Sequence, residues 1–268
     1  MGLNIIVCMK LVPDPEGPAD SFTVDAASNR VVVHGLPPVA NPYDENALEA
    51  AIRIKELTGD SDTAKITLLS MGRGLSRAVL LKAMATGADD SVLIEGDQLD
   101  AQPLDSHTTA TLLAAAIQGL EYDLILTGRQ AADTNSGQVG CGIAQLLGIP
   151  AVTVARKVEI IDGTVRVERV LPDGYEVVEA PLPALVTVSH ELGDLRYPAL
   201  AAIKAARQLP RNVLSLSDLN GELASSGLVE RVALAAPSRE RACAVVTGKT
   251  PEEAGRNLAQ RMHADRVI

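Results

Sequence analysis

A doubly wound α/β fold, with a mostly parallel sheet, an antiparallel flap and an extended C-terminal arm, is predicted by three features of the 268-residue chain. Over the first 150 or so residues, short apolar β-branched runs alternate with longer helical patterns, as successive βα units do. The alternation then gives way to extended runs at 158–161, 165–170 and 175–179, punctuated by the turn pairs Asp162-Gly163 and Asp173-Gly174. From residue 210 onward the apolar periodicity thins out, leaving too little to form a separate core.

Each element has its own warrant. Residues 4–12 (NIIVCMKLV), closed by Pro13, read as a buried parallel strand. In 42–57, Ala47, Leu48, Ala51, Ile52 and Ile54 recur at helical spacing, with Asn41 placed to cap and Pro42 at the first position. Strands follow at 66–70, 91–95 and 123–127, each separated from the next by a helix: 75–86 ended by Gly87, then 108–120. A helix over 137–147 is stopped by Gly148 and Pro150. After the flap, 184–188 reads as a last core strand and 198–207 (PALAAIKAAR) as a helix with apolar and basic faces. An α/β domain is therefore expected over 1–209 and an arm over 210–268, with a helix at 251–262. The arm lies either on a neighbouring subunit or on its own domain, and the first is preferred.

Composition narrows the function. With 24 Lys+Arg against 34 Asp+Glu the net charge is −10, and no basic cluster tracks phosphates, so nucleic-acid binding is not expected. The apolar start is broken by Lys10 and Pro13, too short for an export signal or a membrane span, so neither membrane insertion nor export is expected. Cys8, Cys141 and Cys243 are far apart and match no disulfide or zinc spacing, which points to a reducing, cytoplasmic setting. Four scattered histidines build no triad.

In a doubly wound sheet, ligands bind beyond the carboxyl ends of the strands. After the strand at 123–127 runs a polar loop of small residues, Gly128-Arg129-Gln130-Ala131-Ala132-Asp133-Thr134-Asn135-Ser136-Gly137-Gln138-Val139, leading into a helix start. Such a loop offers backbone N–H groups, hydroxyls and a helix dipole to a phosphate, and it equally suits an ordinary capped turn. Two more strand ends, Cys8-Met9-Lys10 and Met71-Gly72, reach the same edge. In an apolar strand Cys8 reads as a small hydrophobe rather than a nucleophile.

The segments VCMKLVPD (7–14), NPYDENALEAA (41–51), GRQAAD through QVG (128–140) and 192–198 resemble, in this order, the electron transfer flavoprotein β subunit, over roughly residues 4–207. The resemblance implies a heterodimer with an α subunit that carries most of an electron-transferring FAD, while β holds AMP or, in the electron-bifurcating branch, a second FAD. It places Cys8, Met9 and Lys10 against the nucleotide, Asn41 and Asp44 in the family's NP turn, and Met71 and Gly72 facing the adenosine. It places the phosphate on Gly128, Arg129, Gln130, Ala131, Asp133, Thr134, Asn135, Ser136, Gly137, Gln138 and Val139. There the family's usual DGDTAQVG is replaced by DTNSGQVG, in which Ser136 keeps a hydroxyl. Residues 104–116 resemble a bifurcating-type segment, with Asp105, Ser106 and Thr109 at its polar positions, so FAD or AMP in β stays open with FAD slightly preferred. Leu192, with Leu195 beside it, matches the loop that docks a flavin-dependent dehydrogenase of acyl-CoA type, and is expected to be exposed. A nucleotide-binding or hydrolysing α/β protein without a redox role is the alternative. It would need a general base near Ser136, and the sequence offers none.

Overall fold

The structure is a computed structural model that describes residues 2–58, 64–100, 104–219, 228–229, 231–236 and 243–268. Its first half runs β1 (Leu3–Cys8), β2 (Leu11–Pro13), β3 (Phe22–Asp25), β4 (Arg30–Val33), β5 (Pro38–Ala40), α1 (Pro42–Leu57), β6 (Ala64–Gly72), α2 (Arg77–Thr86), β7 (Asp90–Glu95) and α3 (Ser106–Gln118). It continues with β8 (Leu124–Gly128), α4 (Val139–Leu147), β9 (Ala151–Ile161), β10 (Thr164–Leu171), β11 (Gly174–Pro181), β12 (Ala184–Val188), α5 (Leu200–Ala206), β13 (Arg211–Leu214) and α6 (Pro251–Ala264).

Among the described residues, nine strands form one sheet in the order β11-β10-β9-β12-β8-β1-β6-β7-β13. Strands β12 through β13 pair in parallel, and β9, β10 and β11 form the antiparallel flap. Alternation along β1 sends Ile5 and Val7 into a core shared with α1 and α2, and Ile6 and Cys8 into a second core shared with α3 and α4. Helices therefore cover both faces of a buried sheet. From β1 the chain builds outward through β6 and β7, then returns to place β8 on β1's other side. The reversal leaves a crevice beyond the carboxyl ends of β1 and β8.

Several expectations are corrected. The run 4–12 is not one strand: β1 stops at Cys8, and β2 pairs antiparallel with β5 instead of extending the sheet. The cause is capture of the Lys10 N–H by the side chain of Asp44, which turns the chain out of the sheet. The β3–β4 hairpin was not read from the sequence. Strand β9 starts at Ala151, not 158, because its first residues pair in parallel with β12 before the strand enters the flap. The change of partner coincides with a register shift, and Val154 there has φ +61, a strained value for a β-branched residue.

The chain divides into two compact units, Met1–Leu234 and Ala235–Ile268. The arm expected from residue 210 thus begins inside the first unit: β13 adds to β7, and Leu219 is buried in the second core with Leu214 and Leu216 packed against it. Unpaired, the edge of β7 would expose backbone groups that β13 satisfies. In the second unit, α6 is capped by Thr250, whose hydroxyl accepts the Glu253 N–H, while the Glu253 carboxylate accepts the Lys249 N–H. None of its residues is buried. No helix among the described residues is long and apolar enough to cross a membrane.

Candidate functional site

The crevice at the ends of β1 and β8 is organised by the first turn of α1. Asp44 is 6% exposed and divides its carboxylate between the two strands: Oδ2 accepts the Lys10 N–H at 2.8 Å and Oδ1 the Gly128 N–H at 2.8 Å. Burial pushes its pKa up to about 6, against the lowering effect of those hydrogen bonds. Gly128 is required for this approach, since a Cβ there would lie 2.5 Å from Asp44 Oδ1 and 2.6 Å from the Tyr43 carbonyl carbon.

Asn41 occupies the N-cap position of α1 without capping it. Its side chain instead donates to the Gln130 carbonyl at 2.9 Å and accepts the Ala132 N–H at 3.0 Å. The loop is held further by the Lys10–Asp133 ion pair at 2.6 Å and by Gln130, which donates to Asn135 Oδ1 at 3.0 Å. Arg129 lies over the Tyr43 ring, 5.3 Å from its centroid, and its Nε is buried with no hydrogen-bond partner among the described residues. Asp133 through Gln138 are exposed, with Asn135 at φ +51 and Gly137 at φ +62. Gln138 precedes α4, and its side chain makes no capping hydrogen bond to the first N–H groups of that helix. Val139 is half-buried against the second core.

The neighbouring helix start differs. Asp105 caps α3, with Oδ1 accepting the Thr108 N–H at 2.7 Å, while Oδ2 accepts the Leu228 and Val229 N–H groups at 2.6 and 3.0 Å. Although desolvation opposes it, these bonds hold its carboxyl down at about 2. Ser106 donates to the Ser136 hydroxyl at 3.2 Å, joining α3 to the loop. Thr109 turns its hydroxyl back onto the Asp105 carbonyl at 2.8 Å, so it is engaged within its own helix.

At the other strand ends, Cys8 is buried in the second core, where burial, reinforced by nearby Asp44, pushes its thiol far up and leaves it protonated. Met9 points into the first core at 2% exposure, and its N–H donates to the Leu69 carbonyl. Met71 is half-buried against the second core, and Gly72 ends β6.

Leu192 is not exposed as expected. It is 7% exposed and belongs to the first core, with Leu195 packed against the same cluster. The reason lies in α1, which grips this loop too: Asn46 donates to the Gly193 carbonyl at 2.7 Å and Arg53 to the Leu192 carbonyl at 2.9 Å. Glu49 accepts from Arg196 Nη2 and Arg53 Nε, each at 2.9 Å. Burial would raise the Glu49 pKa, but the hydrogen bonds from both guanidiniums prevail and lower it. The reading from sequence missed Asn46, Glu49, Arg53 and Arg196. The polar residues 46, 49, 53 and 56, recurring at steps of three and four along the helix, were the available signal.

Residues 29–219 match the family model described as the electron transfer flavoprotein domain. The chain is 38% identical to an electron transfer flavoprotein subunit beta of Thermoanaerobacterium thermosaccharolyticum, over 99% of this chain and 100% of that one. It is 36% identical to the protein of the same name from Clostridium acetobutylicum, over 84% and 83% of the two chains. A subunit named CarD of a caffeyl-CoA reductase–Etf complex in Acetobacterium woodii is 31% identical over 99% of this chain and 100% of its own length.

Proposed function

The chain belongs to the electron transfer flavoprotein β-subunit family, whose work is electron transfer, and from that premise we propose that it is the nucleotide-holding half of a cytoplasmic two-subunit carrier. Its partner is an α subunit that holds most of an electron-transferring FAD, and β itself holds an adenine nucleotide. The observation that carries this reading is the loop after β8. It is pinned from behind by Asp44 and Asn41, yet it leaves the start of α4 without a side-chain cap and carries the buried Arg129 Nε, which has no hydrogen-bond partner among the described residues. These groups suit a phosphate, which is what unpaired N–H donors at a helix start attract.

In this reading Gly137, Gln138 and Val139 carry the N–H groups toward the phosphate, and Ser136 and Thr134 add hydroxyls. Lys10 keeps a cation at the loop's rim. Cys8, Met71 and Gly72 form the apolar ends of the strands beside it. A bound flavin supplies the redox chemistry. The protein's part is to bind, orient and hold the loop rigid. Between the two nucleotides we favour FAD over AMP, because the Ser106–Ser136 contact extends the polar lining from the loop to the start of α3, as a longer ligand needs. The electron donor we assign is a flavin-dependent dehydrogenase, in keeping with the relative named for a caffeyl-CoA reductase complex. Tyr197 and Leu200, 88% and 73% exposed, offer the apolar surface beside the loop 190–197 that Leu192 does not.

The test is acid extraction of the chain purified with its co-expressed α subunit, followed by chromatography against AMP and FAD standards. Two FAD per heterodimer are expected. One FAD with one AMP would keep the nucleotide site and reassign its occupant, whereas FAD bound only at one equivalent with no AMP would overturn the site in β.

A further inference from the structure

At the far edge of the sheet, four strands along from β8, the arm's first strand β13 lies parallel to β7 with Arg211 opposite Ser91 and Val213 opposite Leu93. Register partners in a parallel pair share a face. Here that face looks toward α2, and Arg77 and Leu80 of α2 complete, with Glu95, a groove of about 200 Å³.

Two features of the groove are left unsatisfied. Ser91 is 2% exposed, and its hydroxyl has no hydrogen-bond partner among the described residues. Buried hydroxyls are rarely left so without a ligand or water to meet them. Arg77 and Arg211 have no ion-pair partner among the described residues, although the chain carries an excess of ten negative charges. The walls between these polar ends are Leu80, Leu93 and Val213.

We propose that this groove binds a small amphipathic monocarboxylate. One carboxylate oxygen accepts the Ser91 O–H while the guanidinium of Arg211, across the strand pair, donates to the head group. A guanidinium beside a hydroxyl is a strong donor set for a carboxylate. The aliphatic body lies along Leu93 and Val213 under Leu80. Glu95 stands four residues beyond Ser91, about 13 Å along the strand, and repels a second anionic end. A monocarboxylate is therefore selected over a dicarboxylate, with an aliphatic body short enough to lie within that strand length. The site shares no residue with the loop 128–139, so it stands apart from the electron-carrier reading.

The experiment is a titration of the full-length, methyl-labelled chain with pentanoate, 1-pentanol and glutarate, followed by the methyl resonances of Leu80, Leu93 and Val213. Saturable shifts at these methyls are expected with pentanoate, with binding at least about tenfold weaker for 1-pentanol and glutarate and for pentanoate on Arg211→Gln. Ser91→Ala should weaken pentanoate severalfold while the melting temperature holds. The exposed position of Arg211 makes its substitution benign to folding, so it remains informative if Ser91→Ala destabilises the chain. Absence of saturable shifts in the wild-type chain, equal binding of pentanol or glutarate, or undiminished binding by Arg211→Gln would each overturn the proposal.

Discussion

Asp44 takes a double part: it is a carboxylate buried at the start of a helix, and it joins the Lys10 and Gly128 N–H donors. Its elevated pKa means that the folded chain holds this proton more tightly than the unfolded one, whose value stays near 3.8. Between about pH 4 and 6 the folded state therefore binds more protons, and this group's contribution to stability falls as pH rises through that window. Above it the cost of a buried charge is fully present. Asp44→Asn removes the titration but can accept only one of the two N–H groups, leaving the other orphaned at about 1–3 kcal/mol. Urea unfolding of both proteins at a series of pH values should show the wild type gaining on the variant as pH falls from 6 to 4. A difference that is flat, or that grows with rising pH, would contradict the assigned burial.

At the scale of elements, α1 holds two loops at once. Its first turn holds the loop 128–139 through Asn41 and Asp44, and its middle holds residues 190–197 through Asn46, Glu49 and Arg53. This second grip draws Leu192 into the core. Leu192→Ala should accordingly lower stability by about 2–3 kcal/mol, at the low end of buried leucine truncations because the site is at the edge of the cluster. Denaturant unfolding measures this directly. Unchanged stability together with slower electron uptake from a dehydrogenase would mean that the side chain faces a partner in solution instead.

For the whole molecule, the boundary that matters falls after Leu234 rather than at residue 210. Ending the chain after Leu234 should leave the unfolding midpoint nearly unchanged while weakening association with the α subunit, since α6 has no buried residue of its own to contribute. Ending it after Arg207 removes β13 and Leu219, uncovering the β7 edge and part of the second core. That chain should unfold at distinctly lower temperature. Equal midpoints for the two truncations would show that β13 adds nothing to the sheet, and full co-purification of the Leu234-terminated chain with α would remove the assembly role from the second unit.

The amino-acid sequence by itself determined the layered architecture, because strand and helix periods are local properties: α1 lies where Pro42 and the Ala/Leu/Ile spacing put it, and the flap follows its two turn pairs. It also singled out the loop 128–139 and the strand ends at Cys8 and Met71, since ligand placement in such sheets follows from strand direction. Tertiary structure alone decided what long-range partners impose. Asn41 has the residue type and position of a cap, but its side chain is claimed by peptide groups ninety residues on. Leu192 has polar neighbours in sequence and an apolar cluster in space. Residues 211–214 look like the start of a free arm until β7 offers an edge that needs covering. In each case local propensity is outweighed by a buried hydrogen bond or an apolar contact between distant segments, and such pairings have no period along the chain from which they could be read.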